Sequence, residues 1–266
     1  MKVYLAIKHG DKAQYMVKKL RAIFPNLGIE EISTPEEADK IFSVGGDGTL
    51  LYNIQKYLHL EKPLIGINAG SVGYLCRAHE DNMEEDLKEA LNEEPLTFYA
   101  FDVTSEKLEE VAIAEVRVER PTLDCVRMKI VNNGATLAHK HIGDGIIITN
   151  SLGSTGYNDS AGGPILALDD KRAVLTPICP YKRGGEIYDS IITSQIYDDI
   201  DIEIITDHDA RLVLENRGFV LTAGEPVHIT YGKKKFFLHT KRKDERREEN
   251  EKKSDTSKTL KTKARL

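Results

Sequence analysis

The amino-acid sequence predicts an α/β N-terminal domain with a parallel sheet, followed by a β-rich, sandwich-like C-terminal domain. In the first part, apolar strand patterns alternate with helically spaced apolar residues, which is typical of a parallel sheet covered on both faces. From about Thr97 onward, short β-rich runs separated by turn residues replace the helical pattern. We therefore expect an α/β domain at 1–97, a β-rich domain at 98–240, and a charged, disordered tail at 241–266.

The individual elements follow from apolar periodicity and turn residues. Strands are predicted at KVYLAI, GIEEI, KIFSV and PLIGIN, which are short apolar runs bounded by polar or turn residues. Helices are predicted at DKAQYMVKKLRAIF, after the GGDGT segment, and at HEDNMEEDLKEALN, because apolar residues recur there with a period near 3.6. In the second part, Asn133-Gly134 lies between two β-type runs and predicts a tight hairpin.

Composition and charge limit the classes of partner. The 266 residues carry a net charge of −6, and the basic excess is concentrated in the tail. An acidic folded part argues against nucleic acid as a partner, and we interpret the tail as a solvated terminus rather than an anion-binding one. Apolar runs stay far below the roughly 18 residues of a membrane helix, so no membrane partner is expected. The isolated Cys76, Cys125 and Cys179 favour a reducing cytoplasm.

The stretch FSVGGDGTLLYN holds the first candidate site. Glycine-rich turns that open a helix usually bind phosphate through free backbone N–H groups and the positive end of the helix dipole. Asp47 is unexpected there, because two like charges about 4 Å apart near a surface repel by roughly 4 kcal/mol. Asp47 therefore holds a cation or accepts a proton, or the turn does not bind phosphate. GGDGT and NAGSVGYL both follow an apolar strand, so they are expected on one rim of the sheet, where Asn68 would satisfy backbone groups.

A second glycine-rich segment, from Ser151 to Pro164, lies between two apolar runs. Its glycines, hydroxyls and single carboxylate suit a ligand rich in ribose and phosphate, and we prefer this interpretation to a flexible surface loop. Asp144, which precedes it, caps a turn or, near a nucleotide, binds ribose hydroxyls. His139 and His141 lie two apart on one strand face; we interpret them as solvent-facing polar residues rather than metal ligands.

Taken together, five motifs resemble those of NAD kinases over roughly residues 1–240. They are GGDGT, GINAGSVGYL, DGIIITNSLGSTGY, SAGGPIL and TPICP, in the order and spacing of that family. The resemblance implies transfer of a phosphoryl group from ATP, or from inorganic polyphosphate, to the 2′-hydroxyl of the adenosine ribose of NAD, giving NADP. It also implies Mg²⁺, NAD bound between two domains, and a homodimer or homotetramer.

The resemblance also implies roles for individual residues. Asp47 would accept the proton of the 2′-hydroxyl or orient that hydroxyl. The positions matching the family's ligand-binding segments are Gly45, Gly46, Gly48, Thr49, Asn68, Tyr74, Glu115, Asp144, Thr155, Gly156, Tyr157, Asn158, Asp159 and Ser160. Four positions depart from the family pattern: Ala114 replaces an Asn, Leu152 a small polar residue, Gly156 an Ala, and Ile142 an Arg.

Two alternatives stay open at this point. One is a lipid or sugar kinase that shares the GGDGT turn; SAGGP and the lack of an obvious membrane-binding face argue against it. The other is a non-catalytic NAD or nucleotide sensor, against which the intact Asp47 argues, since a sensor needs no base. The sequence leaves undecided the donor, the choice between NAD and NADH, the oligomer, feedback by NADP, and the role of the tail.

Overall fold

A computed structural model describes residues 1–182, 190–191 and 193–241. The predicted tail, 241–266, lies outside the described residues except for Lys241. Within the described part, the strands form two sheets, one mixed and one antiparallel, which agrees with the predicted fold class. Among the helices of that part, none has the length and apolarity needed to cross a bilayer.

The N-terminal half alternates strands and helices as predicted. Its strands are β1 (Lys2–Ile7), β2 (Glu30–Ile32), β3 (Lys40–Gly45) and β4 (Leu64–Asn68). Its helices are α1 (Asp11–Leu27), α2 (Asp47–Tyr57) and α3 (Met83–Asn92). The strands pair in parallel in the order β2-β1-β3-β4, so their carboxyl ends meet at one rim.

Apolar clusters cover both faces of this parallel sheet. On one face, α1 and α3 pack in a single cluster with strand residues that include Val3 and Phe42. On the other face, α2 packs with Ile41, Leu64 and Phe236. The prediction of a parallel sheet covered on both faces is therefore confirmed. Because α1 and α2 follow β1 and β3, both helices begin at the rim where the strands end.

The second half is β-rich, and its described strands follow in chain order. They are β5 (Leu96–Thr104), β6 (Glu109–Ala112), β7 (Glu115–Glu119), β8 (Val126–Asn132), β9 (Ala135–Gly143), β10 (Gly145–Thr149), β11 (Ala173–Ile178), β12 (Gln195–Tyr197), β13 (Asp201–Thr206), β14 (Ala210–Leu214), β15 (Arg217–Leu221) and β16 (Val227–His239). A short helix, α4 (Tyr157–Ser160), precedes β11.

These strands form a two-layer sandwich. One layer is the antiparallel sheet β12-β11-β10-β7-β14-β15, and the other extends the N-terminal sheet in the order β4-β16-β13-β8-β9. Residues of both layers share one apolar core, including Val103, Val116, Ile146 and Ile202. The last strand joins the two halves, because its end pairs in parallel with β4 and its start antiparallel with β13. The predicted boundary between residues 97 and 98 falls inside β5.

The hairpin predicted at Asn133-Gly134 is confirmed. It joins β8 to β9, which pair antiparallel with Asn132 opposite Ala135. Asn133 and Gly134 have φ values of 49° and 74°. Two successive positive φ values define the turn type whose twist matches that of the flanking strands, and Asn-Gly is the sequence that tolerates them best.

The interpretation of His141 as a solvent-facing residue is wrong. His139 is exposed, but His141 is fully buried. The reason is a register shift in the β8–β9 pair: Met128 lies opposite His141 and Ile130 opposite Ala138, so β9 carries one extra residue between the pairs. Such a bulge interrupts the alternation of faces, and it directs His141 into the interior, where burial lowers the pKa of its imidazole.

A second buried histidine predicts how the stability of the protein depends on pH. Burial and the neighbouring cations Lys40 and Arg77 lower the pKa of His239 from 6.5 to about 4, and Lys40 Nζ lies 3.1 Å from its Nε2. The unfolded chain therefore binds a proton that the folded chain excludes, so stability is complete above pH 6.5 and falls towards pH 4. The shift corresponds to about 3 kcal/mol. We expect His239→Gln to flatten this fall in urea unfolding; an unchanged slope between pH 6.5 and 4 would contradict the assignment.

Candidate active site

The GGDGT turn joins the end of β3 to the start of α2. Gly46 is the N-cap of α2, and Asp47 lies in its first turn, where the helix dipole favours a negative charge. Gly46 O accepts the N–H groups of Thr49 and Leu50, at 2.9 and 3.0 Å. A Cβ on Gly45 would lie 2.5 Å from Thr49 Cβ, so only glycine fits there. Around Gly48 the space is open, which leaves the turn accessible.

The second rim loop holds the carboxylate of Asp47. Tyr74 N donates to Asp47 Oδ2 at 2.7 Å, and Leu75 N donates to Oδ1 at 2.9 Å. Ala69 N also donates to Gly45 O at 2.7 Å. The predicted meeting of GGDGT and NAGSVGYL on one rim is thus confirmed. Each carboxylate oxygen keeps acceptor capacity after one N–H bond, so Asp47 can receive a further donor from a ligand.

Asn68 fixes the shape of this second loop. Its Oδ1 accepts the N–H of Gly70 at 2.8 Å, and its Nδ2 donates to Val72 O at 3.2 Å and lies 3.3 Å from His79 Nδ1. A Cβ on Gly73 would collide with the Asn68 carboxamide, and the φ of Gly73 is 74°. Asn68 satisfies backbone groups at the rim, which is the behaviour that its sequence position predicts.

A cavity of about 880 Å³ lies beside the GGDGT turn. It is bounded by the end of β1, the start of α1, one face of α2 and the β14–β15 turn. Lining residues with basic side chains are Lys8, His9, Lys12 and Lys56. Lys12 Nζ donates to Gly70 O at 2.8 Å, which ties the start of α1 to the second rim loop. Basic side chains next to a glycine-rich turn at a helix N-terminus suit an anionic ligand such as a phosphate chain.

A second polar surface lies on β7 of the antiparallel sheet. Glu115, Arg117 and Glu119 alternate along the strand and share one face. The Arg117 guanidinium lies 3.2 Å from a Glu115 carboxylate oxygen and 2.7 Å from one of Glu119. It also lies 5.3 Å from the ring centre of Tyr157, in cation–π geometry. The structure therefore brings the predicted residues Glu115 and Tyr157 together through Arg117.

Burial raises the pKa of two carboxyl groups at this surface, those of Glu115 and Glu215. Burial raises the pKa of Glu115; Arg117 opposes the rise, and the charges of Glu215 and Glu119 add to it. Burial raises the pKa of Glu215 as well, against the N–H groups of Ala114 and Ile113, which donate to its Oε1 at 2.9 and 2.5 Å. Carboxyls with raised pKa beside a fixed guanidinium are typical of functional sites.

Asp144 begins the segment that leads to Tyr157. Its backbone joins the strand edge, with Asp144 N donating to Ile178 O at 3.0 Å and its O accepting Arg120 N at 2.9 Å. Its carboxylate pairs with Arg120 Nε at 3.1 Å, and about a third of each side chain is exposed. Asp144 lies close enough to Tyr157 for its charge to act on the phenol, so the two predicted residues lie near one another.

The segment from Ser151 to Pro164 is more ordered than its composition indicates. The segment contains α4 and several internal hydrogen bonds. Ser154 Oγ donates to Ser151 O at 3.1 Å and accepts Leu166 N at 3.1 Å. Small hydroxyl side chains here satisfy the backbone of the tight turns. The side chains left exposed are those of Thr155, Tyr157, Asp159 and Ser160, and Gly156 is exposed beside them.

Asn158 does not reach the surface of the site. It is fully buried, and its Nδ2 donates to Ser154 O at 3.0 Å and to Pro164 O at 2.9 Å. Its Oδ1 accepts Thr176 Oγ1 at 2.6 Å. Because every polar atom of the amide has a protein partner, Asn158 holds the loop and does not face a ligand in this structure.

The packing around Asn158 predicts a glycine requirement. A Cβ on Gly163 would collide with Asn158 Oδ1 and Thr176 Oγ1. We expect Gly163→Ala to lower the free energy of unfolding by about 1–3 kcal/mol, the usual cost of overpacking, in urea denaturation. Gly156→Ala is the matched control, since Gly156 has φ −92° and a Cβ there meets only Gly153 O, at 3.3 Å. Equal losses in both variants would show that this packing does not matter.

Three of the four departures from the family pattern are buried, and the fourth, Gly156, is exposed. Ala114 and Leu152 are buried in the apolar cluster that also contains Leu75 and Cys76 of the second rim loop. Ile142 is also buried. Ala114 and Leu152 therefore share one apolar cluster with the second rim loop.

Sequence reasoning missed several residues of the site. Arg117 was overlooked although its alternation with Glu115 and Glu119 on a strand indicated one charged face. Lys8 and Lys12 flank the end of β1 and the start of α1, and their placement at the rim follows only once the parallel order is known. Asn216 comes from the β14–β15 turn of the other half, and no local sequence feature indicated it.

The fold and the site define a class of protein: an α/β–β protein with a glycine-rich turn at a helix N-terminus, beside a cavity that both halves line. Comparison with known proteins gives the family. A model of the ATP-NAD kinase N-terminal domain matches residues 12–95, and one of the ATP-NAD kinase C-terminal domain matches residues 113–239. The NAD kinase of Rickettsia akari is 33% identical over 186 residues, which are 68% of this chain and 70% of that protein. The chain belongs to the NAD kinase family.

Solved structures agree with this assignment. An NAD kinase from Archaeoglobus fulgidus in complex with ATP superposes with a TM-score of 0.73 at 26% identity, over 90% of this chain and 94% of that one. Yeast NADH kinase complexed with NADH gives a TM-score of 0.72 over 91% of this chain and 83% of that one. At 16% identity, the second likeness concerns the fold alone.

Proposed function

We propose that this chain is an NAD kinase that transfers a phosphoryl group from ATP to the 2′-hydroxyl of the adenosine ribose of NAD, giving NADP. The observation that carries this proposal is the position of Asp47. Its carboxylate lies at the start of α2, next to a cavity suited to phosphates, and two backbone N–H groups of the second rim loop fix its direction. A fixed carboxylate beside a phosphate site is what transfer to a hydroxyl group requires.

In this proposal Asp47 orients the 2′-hydroxyl and accepts its proton as the bond to phosphorus forms. The N–H groups of Tyr74 and Leu75 hold both carboxylate oxygens, so little reorganisation is needed when the hydroxyl arrives. The glycines of the GGDGT turn and the basic lining residues Lys8 and Lys12 bind the phosphates of the donor. The transfer then depends mainly on positioning and charge.

In this proposal NAD binds over the partly exposed face of β7 and the loop that contains α4. Tyr157 offers its ring to the ligand and is backed by Arg117 at 5.3 Å. Glu115 and Asp144 offer carboxylates for ribose hydroxyls, and Tyr74 borders the same rim. Thr155, Gly156, Asp159 and Ser160 complete the exposed loop surface.

In this proposal Mg²⁺ binds together with the phosphates of the donor. Among the described residues there is no group of three or more His, Cys, Asp or Glu placed to hold a metal ion. Proteins commonly bind Mg²⁺ through one or two carboxylates together with substrate phosphates and water. Asp11, at the start of α1, is a cavity-lining carboxylate that could take this part. Bound there, Mg²⁺ would neutralise charge on the transferring phosphate.

We further propose a homodimer or homotetramer in the cytoplasm. The three cysteines are free, which suits a reducing compartment. The pair Arg120–Asp144 and the exposed ring of Tyr181 lie on the surface beside the NAD loop, where a second copy could border the site.

The test is NADP formation by the purified protein with NAD and Mg²⁺, with ATP and inorganic polyphosphate compared as donors. NADP formed from ATP supports the proposal. Binding of NAD without NADP from either donor would instead support the sensor alternative. Phosphorylation of a diacylglycerol or a sugar, with NAD untouched, would favour the other GGDGT kinases.

A further inference from the structure

One face of α2 carries an exposed aromatic ring into the cavity beside the GGDGT turn. Thr49, Tyr52 and Lys56 are spaced three and four residues apart, so they share a helix face, and all three line the cavity. The side chain of Tyr52 is 61% exposed. The Tyr57 ring, by contrast, is buried against the Tyr4 ring in edge-to-face contact, with ring centroids 5.7 Å apart. Tyr52 therefore has an exposed ring face that a ligand can contact, and Tyr57 does not.

The position of Tyr52 along the helix matches the layout of a nucleotide donor. With a rise of about 1.5 Å per residue, Tyr52 lies roughly 6 Å along α2 from Gly48, and Lys56 lies roughly 12 Å from it. The cavity therefore has glycine N–H groups, Lys8 and Lys12 near the start of the helix, and an aromatic ring with a lysine further along. An inorganic phosphate chain contacts only the glycine N–H groups and the two lysines near the start of the helix. A nucleoside triphosphate also has a flat base, at a distance from its terminal phosphate, which the aromatic ring can contact.

We propose that Tyr52 is a stacking platform for the base of the phosphoryl donor and so makes this chain selective for nucleoside triphosphates over inorganic polyphosphate. This inference rests on the proposed function, since it assigns the cavity to the donor. Every base has a π-face, so stacking on Tyr52 favours a nucleotide without choosing strongly among bases. Lys56 lines the same cavity one turn further along α2, with its Nζ 5.1 Å from the Tyr57 ring centre, and adds positive charge at that end.

The experiment compares Tyr52→Ala, Tyr52→Phe and Tyr15→Ala with the unmodified protein. Tyr15 is a matched control because it is 46% exposed on α1 and does not line the cavity. The dissociation constants of Mg²⁺–ATP and Mg²⁺–tripolyphosphate are measured by titration calorimetry. The KM for ATP is measured by steady-state kinetics at saturating NAD. Tripolyphosphate carries the phosphate charges without a base. Thermal unfolding followed by circular dichroism checks that each variant folds.

We expect Tyr52→Ala to weaken ATP binding and raise the KM for ATP about 5- to 20-fold, from the usual worth of base–aromatic stacking. Tripolyphosphate binding should stay unchanged, and Tyr52→Phe and Tyr15→Ala should behave like the unmodified protein. Equal weakening of both ligands by Tyr52→Ala would overturn the inference, as would no effect on either. A change in subunit number by light scattering would show instead that Tyr52 contacts another copy of the chain.

The two proposals can fail separately. If the unmodified protein forms no NADP but ATP binding still depends on Tyr52, the proposed function fails while the base platform stands. If NADP forms normally and the Tyr52 variants bind ATP unchanged, the platform fails and the kinase assignment is untouched.

Discussion

Replacement of Asp47 by asparagine is expected to lower kcat for NADP formation by about 10²- to 10⁴-fold, the usual contribution of a positioned acid–base group. The asparagine keeps the volume of the side chain but cannot accept the proton of the 2′-hydroxyl. It also offers a single acceptor oxygen where the structure has two, one for Tyr74 N and one for Leu75 N. Steady-state kinetics with ATP and NAD give the change in kcat.

Binding of NAD should survive this replacement, with its dissociation constant changing by less than about threefold, or under 1 kcal/mol. Asp39→Asn is the matched control, because Asp39 Oδ2 also accepts a backbone N–H, that of Lys2 at 2.7 Å, at the opposite rim of the sheet, where β1 and β3 begin. Turnover of Asp47→Asn equal to that of Asp39→Asn would remove Asp47 from the mechanism. Loss of NAD binding together with turnover would make Asp47 a binding residue instead.

The fold was predictable because its local sequence features agree with its tertiary structure. The alternation of strands and helices dictates a parallel sheet, and the carboxyl ends of parallel strands must meet at one rim. From that rule alone, the GGDGT turn after β3 and the loop after β4 had to be neighbours, as the bond from Leu75 N to Asp47 shows. The hairpin at Asn133-Gly134 was predictable because its turn conformation depends on these two residues alone.

The sequence could not show what depends on register and on distant chain segments. His141 is buried because of one extra residue in β9, and periodicity does not show a bulge. Asn158 matched a ligand-binding segment, yet it is used inside the protein because Thr176 and Pro164 converge on it. Asn216 reaches the cavity from the β14–β15 turn, and only the pairing of the two halves brings it there.

Replacement of Asn68 by alanine is expected to lower kcat about 10- to 100-fold, although Asn68 need not touch the reacting atoms. Its carboxamide joins Gly70 N, Val72 O and His79 across one loop, and the same loop supplies the two N–H groups that aim Asp47. Without the carboxamide, the loop can relax and the carboxylate loses its direction. The dissociation constant of NAD should change far less than kcat, since the β7 surface is left intact.

A loss of stability has to be separated from a loss of positioning, because Asn68→Ala also leaves backbone groups without partners, at a cost of about 1–3 kcal/mol. Asn132→Ala is the matched control: Asn132 is buried, and its Oδ1 accepts Asp201 N at 3.1 Å in the sandwich, away from the rim. If urea unfolding shows similar losses in both variants and only Asn68→Ala loses kcat, the loop acts through Asp47. If both lose kcat alike, stability alone explains the effect, and the two N–H bonds to Asp47 do not depend on Asn68.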